Sequence, residues 1–219
     1  MSEAANESPE LYPIVLKLAG HMCLVVGGGP IALRKTVELL RCGANVRAVA
    51  PGWCSEFALM DGQASFTRTS RAFEPFDLDG VFLAVAATDD RGTQELIASE
   101  AGKRGILLNV VDVPDLCGFF VPANLRRGSL VVSVSTEGKS PGFAAAVRDR
   151  IAEALAEEIG PGLERLDEAR KLTRARYPED QDRRREALGR LLTPAAVDGL
   201  MEGRLKTFEA HWRSWKASL

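Results

Sequence analysis

The sequence predicts an α/β fold: a parallel sheet with helices on both faces, then a segment that breaks this pattern, then a small all-α C-terminal region. Three observations carry the expectation. Short aliphatic runs alternate with amphipathic stretches of helical length from Cys23 to Asp112, as strand–helix–strand repeats do. A glycine triplet, Gly27-Gly28-Gly29, separates the first such run from the first helix. Beyond about Gly160 the chain is charged and helically patterned.

Taken in order, Cys23 to Val26 is a short apolar run of the buried-strand type. Pro30 suits a first helical position, where its missing N–H costs nothing; Leu33, Val37 and Leu40 follow at helical spacing, and Cys42-Gly43 stops the helix. Asn45 to Ala50 reads as a second strand closed by Pro51-Gly52. A helix is expected around Trp53 to Met60 and a strand near Ala64 to Thr69. "VFLAVAA" (Val81 to Ala87) is the clearest buried strand. "DDRGTQELIASEAGKRG" has the acidic start and basic, glycine-stopped end that a helix dipole favours, and "ILLNVV" closes the series. After Asp112 come two strand-like runs around a Pro/Asn/Gly connection and a helix starting near Ser140-Pro141. "DQDRRREALGRLL" and "RLKTFEAHWRSWKASL" are amphipathic, with charges of both signs interspersed as on a solvated face.

Composition narrows the function classes. The chain has 219 residues, 46% hydrophobic and 26% charged, with a formal charge of −2. That balance predicts no nucleic-acid partner, which would show as a basic excess. "MSEAANESPE" has neither the basic nor the apolar region of a signal peptide, and no window approaches the roughly eighteen apolar residues of a membrane span. No membrane association is expected, and a cytoplasmic location is. Cys23, Cys42, Cys54 and Cys117 are scattered without a CxxC pair, and His21 and His211 stand alone, so no protein metal site is expected.

Gly27-Gly28-Gly29-Pro30-Ile31-Ala32 fits the GxGxxG/A dinucleotide fingerprint in the strand-to-helix context that it requires. The first glycine permits a tight turn, the next in the pattern lets a pyrophosphate approach the backbone, and Ala32 allows close packing. The acid that usually holds the ribose about twenty residues on is missing from "VRAVAPGW", so backbone around Pro51 and Gly52 must serve. Residue patterns alone do not choose between NAD and NADP. Thr88 and Asp89 end the strongest strand, at the sheet edge where ligands bind, although Thr88, Asp89 or Asp90 could equally be a plain N-cap. Asp112 closes "GILLNVVD" at the same edge, as either the polar end of a turn before Pro114 or a reactive carboxylate. Arg126, Arg127 and Lys139, near Ser135 and Thr136, could grip carboxylates, or could form a solvated hairpin tip.

These segments together resemble the precorrin-2 dehydrogenase family, the NAD-dependent module of sirohaem synthases. "VGGGPIALRK", "AATDD", "NVVDVP" and "STEGKSP" carry the resemblance, in that order, within a match from about Tyr12 to Leu192. The resemblance implies a Rossmann-like NAD-binding domain (1–115), a dimerisation segment that carries active-site residues (116–152) and a helical C-terminal domain (153–219). It implies oxidation of precorrin-2 to sirohydrochlorin with NAD⁺ by a homodimer, with Asp112 as the active-site carboxylate. The cofactor would lie on Gly27, Gly28, Gly29, Pro30, Ile31, Pro51 and Gly52, with Thr88 and Asp89 in the same crevice. The carboxylate-rich macrocycle would meet Asn109, Arg126, Arg127, Ser135, Thr136 and Lys139. Some relatives also insert iron, and any metal here would be held by the macrocycle. Since the sequence stops at Leu219, the methyltransferase domain fused in some sirohaem synthases is expected to reside on another protein. Two rival readings are an oxidoreductase for a small substrate and a nucleotide-sensing module without catalysis.

Overall fold

The computed structural model describes residues 10–219, so the reading of the acidic N-terminal stretch falls almost wholly outside the described residues. The chain divides into two compact units, one ending at Val121 and one running from Pro122 to Leu219.

The first unit is a five-stranded sheet of β1 (Met22–Val26), β2 (Asn45–Ala50), β3 (Phe66–Ser70), β4 (Leu83–Ala86) and β5 (Leu107–Val110). All neighbours are parallel and the order is β3-β2-β1-β4-β5. The order reverses beside β1, so the ends of β1 and β4 open a crevice of the kind that binds ligands in doubly wound sheets. This is the Rossmann-like architecture expected from the sequence. The two sheet faces are built by period-two alternation. Cys23, Val25, Val46, Ala48, Leu83 and Val85 pack on one side, with Ala32 and Leu39 of α1 (Pro30–Arg41). Leu24, Val26, Val49, Ala84, Ala86, Leu108 and Val110 pack on the other, with Ile97 and Ala101 of α2 (Arg91–Arg104). Each fully buried Val or Leu contributes about 1.5–3 kcal/mol. The strands read as continuous aliphatic runs because both faces are covered.

Details differ from the sequence expectations at the periphery. The stretch expected to be a helix around Trp53 to Met60 is a 3-10 helix, Ser55–Met60, which buries Phe57 and gives way to a turn with Gly62 at φ 84°. The strand expected from Val81 begins at Leu83, because Val81 still donates its N–H to Leu78 O in the preceding turn. Residues following β5 stay with the first unit as far as Val121, tied by Gly118 N–H to Leu108 O (2.8 Å) and by Asn109 Nδ2 to Phe119 O (3.1 Å).

In the second unit, an antiparallel hairpin of β6 (Ala123–Arg127) and β7 (Leu130–Val134) packs with α3 (Pro141–Ala154). Ser140 caps α3 by accepting from Phe143 N–H, and Pro141 occupies its first turn, as the serine-proline pair predicts. Four more helices follow: α4 (Ile159–Arg176), α5 (Gln181–Leu191), α6 (Pro194–Met201) and α7 (Leu205–Ala217). Their core is Ala169, Leu191, Ala196, Leu200, Phe208, Trp212 and Trp215, and Trp215 Nε1 donates to Ala187 O at 2.7 Å. None of the described helices is long and apolar enough to cross a membrane.

Asp77, 1% exposed, accepts two hydrogen bonds from Arg71 (2.6 and 2.7 Å) and one from Glu74 N–H, while Arg47 donates to its backbone oxygen. Burial alone would raise its pKa. The Arg71 and Glu74 hydrogen bonds and the nearby guanidinium charges outweigh burial and hold the carboxyl below its usual range. A depressed folded-state pKa stabilises above the unfolded value and is lost as pH falls through the folded one. Asp77→Ala should therefore cost the first unit about 2–3 kcal/mol at pH 7 in urea unfolding. The wild type should shed that advantage only below the ordinary aspartate value of 3.8, closing the gap between the two proteins.

Candidate cofactor and active site

The glycine turn is built by close backbone packing. Gly27 has φ 137° and donates its N–H to Val49 O (2.9 Å), while Ala87 N–H donates to Val26 O (2.7 Å) and Cys54 N–H to Gly28 O (2.7 Å). A Cβ on Gly27 would collide with Ala87 O, and one on Gly28 with Gly52 O. A Cβ on Gly29 or Gly52 would meet nothing within 4 Å. Glycine is thus compelled at Gly27 and Gly28 by the ends of β4 and β2, whereas the space beside Gly29 is open. The sequence placed Gly28 among the cofactor-binding residues but gave it no packing role, because the fingerprint leaves its position free; the neighbouring Pro51-Gly52 was the available signal.

Gly29 is the N-cap of α1 in an extended conformation with no side chain over it, Pro30 follows, and no acid occupies the first turn. The helix start therefore presents uncapped N–H groups and a positive dipole end beside that open space. Gly29 and the turn fit a pyrophosphate. Pro51 and Gly52, both exposed, follow β2 at the same sheet edge, and Ile31 is exposed in the first turn of α1.

Thr88 and Asp89 follow β4 at that edge. The N-cap of α2 is their neighbour Asp90, which accepts from Thr93 N–H at 2.6 Å; that bond holds its carboxyl below the usual range. Thr88 accepts from Asp90 N–H through Oγ1 (3.3 Å), and its carbonyl accepts from the Gln94 amide (2.7 Å). Asp89 stays exposed. Capping is thereby assigned to Asp90, leaving the Asp89 side chain out of it.

Asp112 lies just beyond β5, exposed and at φ 60°. It occupies the turn closed by Val113 N–H to Val110 O (3.3 Å), and Val111 N–H still bonds Ala86 O (2.9 Å). A left-handed conformation costs a non-glycine residue roughly 1–2 kcal/mol, with aspartate among the more tolerant. Glycine or asparagine would be the ordinary occupant of such a turn. The carboxylate therefore occupies a costly backbone position at the crevice edge, which is where such strain accompanies function. Asn109, half-buried, spends its amide hydrogens on Phe119 O and on Cys117 Sγ (3.6 Å).

The remaining candidates belong to the second unit. Arg127 donates to Leu155 O and Arg126 O, whereas Arg126 is exposed. Ser135 Oγ accepts from Glu137 N–H (3.2 Å) and Thr136 Oγ1 from Ser140 N–H (3.0 Å), shaping a turn in which Glu137 and Gly138 have φ 54° and 81°. Lys139 is exposed, with Glu137 at 3.4 Å. Among the described residues no cluster of three or more His, Cys, Asp or Glu is placed to hold a metal ion.

A family model described as "Putative NAD(P)-binding" matches residues 14–123, about half of the chain. The chain belongs to this NAD(P)-binding family. A second model, sirohaem biosynthesis protein central, matches residues 127–154. The siroheme synthase of Thioalkalivibrio sulfidiphilus is 36% identical over 195 residues, covering 89% of this chain and 40% of that protein. The siroheme synthase of Nitrosomonas eutropha is 42% identical over 147 residues, covering 67% of this chain and 31% of that protein. The chain thus spans less than half the length of these relatives. It matches the solved structure of SirC, precorrin-2 dehydrogenase, with a TM-score of 0.77 and 25% identity, over 94% of this chain and all of that one. The NAD(P)-binding unit holds a nicotinamide cofactor, and the open side of Gly29 is the place in it that a pyrophosphate fits.

The two glycines beside that place separate folding from binding. Gly29→Ala should keep the fold and weaken nicotinamide dinucleotide binding tenfold or more, about 1.4 kcal/mol, by calorimetry. Gly28→Ala should instead lower the amount of folded protein, because the Gly52 carbonyl it meets is backbone and cannot swing aside.

Proposed function

We propose that the chain catalyses the NAD⁺-dependent oxidation of precorrin-2 to sirohydrochlorin, with Asp112 as the proton acceptor. The observation that carries this reading is the carboxylate of Asp112, held at φ 60° at the sheet edge that also bears the glycine turn. The likeness to SirC, described as precorrin-2 dehydrogenase, supports it over most of the chain. The oxidation removes two electrons and two hydrogens from the macrocycle, one as hydride and one as a proton. NAD⁺, held by the backbone of Gly27 to Ile31 and by Pro51 and Gly52, supplies the hydride acceptor. Thr88 and Asp89 border the same crevice, and Asp112, exposed on its turn, takes the proton directly or through water. In the second unit Arg126 and Lys139 receive carboxylates of the substrate, on a segment whose shape Arg127, Ser135 and Thr136 fix. Arg126 and Lys139 are exposed cations suited to that purpose.

The test is the absorption spectrum of precorrin-2 with purified protein and NAD⁺ or NADP⁺, repeated with Fe²⁺ or Co²⁺. Conversion to sirohydrochlorin with NAD⁺ is expected; absence of conversion with either nucleotide would overturn the assignment. A further metal-dependent change, faster than without protein, would add metal insertion to the activity. Asp112→Asn keeps a side chain that tolerates the left-handed turn, so its fold and NAD⁺ affinity should match the wild type. Its turnover should fall a hundredfold or more, the usual scale of a lost general base. Retained turnover would remove Asp112 from the mechanism.

We also propose that the chain works as a homodimer formed through α3. Phe143, Val147, Ile151 and Ala154 form an apolar strip along this helix, and Phe143 is 64% exposed. Light scattering should then give about twice the 23.7 kDa chain mass, as for a two-fold symmetric pair. Phe143→Glu with Ile151→Glu should return the single-chain mass with helical circular dichroism retained.

A further inference from the structure

We propose that Cys117 is a positioning residue for Asp112, forming with Asn109 a clamp that holds the strained turn at the end of β5. The proposal rests on the reading of Asp112 given above. β5 is an edge strand, with β4 on one side only. The outward backbone groups of Leu108 and Val110 would be left without a ladder partner. The returning segment supplies partners for both. Gly118 N–H donates to Leu108 O at 2.8 Å, and Val110 N–H donates to Cys117 Sγ at 3.2 Å. The same sulfur lies 3.2 Å from Val110 O and 3.4 Å from Val113 O, within reach for its hydrogen to be donated to either. These carbonyls lie on either side of Asp112 in the chain. Asn109 closes the clamp from the strand side, with Nδ2 at 3.6 Å from the sulfur and 3.1 Å from Phe119 O.

A thiol suits this place. Its bonds are long enough to span the gap between strand edge and returning segment, and it both accepts and donates. Burial pushes the Cys117 thiol above its ordinary pKa, against a weaker pull from the Val110 N–H, so it keeps the hydrogen that it donates. The raised pKa also argues against a nucleophilic role. Core packing and the Val113 N–H to Val110 O bond anchor the ends of the turn, and the thiol adds the link from the strand-edge groups of Val110 to the returning segment; without it the aspartate would relax from its left-handed conformation.

The experiment compares Cys117→Val, Cys117→Ser and Asp112→Asn in the full chain. Hydrogen exchange at the Val110 amide should accelerate tenfold or more in Cys117→Val and return towards wild type in Cys117→Ser. In the precorrin-2 assay, Cys117→Val should lose about tenfold in kcat through misplacement of the carboxylate, with KM for NAD⁺ within about twofold. Cys117→Ser should recover most of that kcat. Unchanged Val110 exchange and unchanged kcat in Cys117→Val, with Asp112→Asn inactive, would overturn the clamp and leave the role of Asp112 standing. A kcat loss that merely tracks the fraction of folded protein, without rescue by serine, would also overturn it. Full turnover by Asp112→Asn would overturn both readings together.

Discussion

The first unit depends on one constraint: two glycines wedged against the carbonyl oxygens of neighbouring strand ends. Gly27 lies against Ala87 O and Gly28 against Gly52 O, with no room for a Cβ at either. That closeness lets three backbone hydrogen bonds cross between the ends of β1, β2 and β4, through Gly27 to Val49, Ala87 to Val26 and Cys54 to Gly28. The strand ends are thereby satisfied internally, and the chain enters α1 at a fixed angle. The helix start is left uncapped and faces open space at Gly29. The candidate dinucleotide site is thus a consequence of how the strand ends are packed, and it is preorganised because the same contacts hold the sheet together.

Much of this was legible in the sequence because backbone chemistry writes itself strongly there. Positive φ and close approach both demand glycine, and buried parallel strands demand aliphatic runs. The strand and helix order, the parallel sheet and the Ser140-Pro141 helix start follow from such demands. Three features were not legible. Gly28 occupies a position that the fingerprint leaves free, and its reason is a contact with Gly52, just beyond the end of β2. Choosing Asp90 over Asp89 as the cap depends on where α2 begins, to within one residue. Cys117 looks like any small hydrophobe, and its hydrogen bonds exist only because the chain folds back along β5.

Asp112, the proton acceptor of the proposed function, is kept apart from the rigid frame. The carboxylate is exposed, outside both hydrophobic clusters, so it imposes no desolvation cost on the core. Its cost is carried by the backbone instead, at φ 60°. The residues flanking it, Val110 and Val113, are half-buried or buried and pack in the core of the α2 face. The turn is thus anchored at both ends by apolar side chains while its tip points a charged group outward. An ordinary glycine turn would relieve the strain and remove the carboxylate with it.

The proposed function sets the second unit a different problem, how a chain with a net charge of −2 would receive a polyanion. Global electrostatics offer no help, so attraction has to be local. Arg127 is committed to carbonyls at Leu155 and Arg126, and the Ser135 and Thr136 hydroxyls accept backbone N–H groups that shape the 135–140 turn. Among the described residues the Lys139 ammonium meets only an exposed carboxylate, Glu137 at 3.4 Å, a pairing worth at most about 1 kcal/mol in water. A carboxylate of the proposed substrate could displace so weak a partner, while Arg126 has no side-chain partner among the described residues. One short segment therefore combines both kinds of group: Arg127 and the two hydroxyls fix its shape, and Arg126 and Lys139 remain available for the proposed substrate.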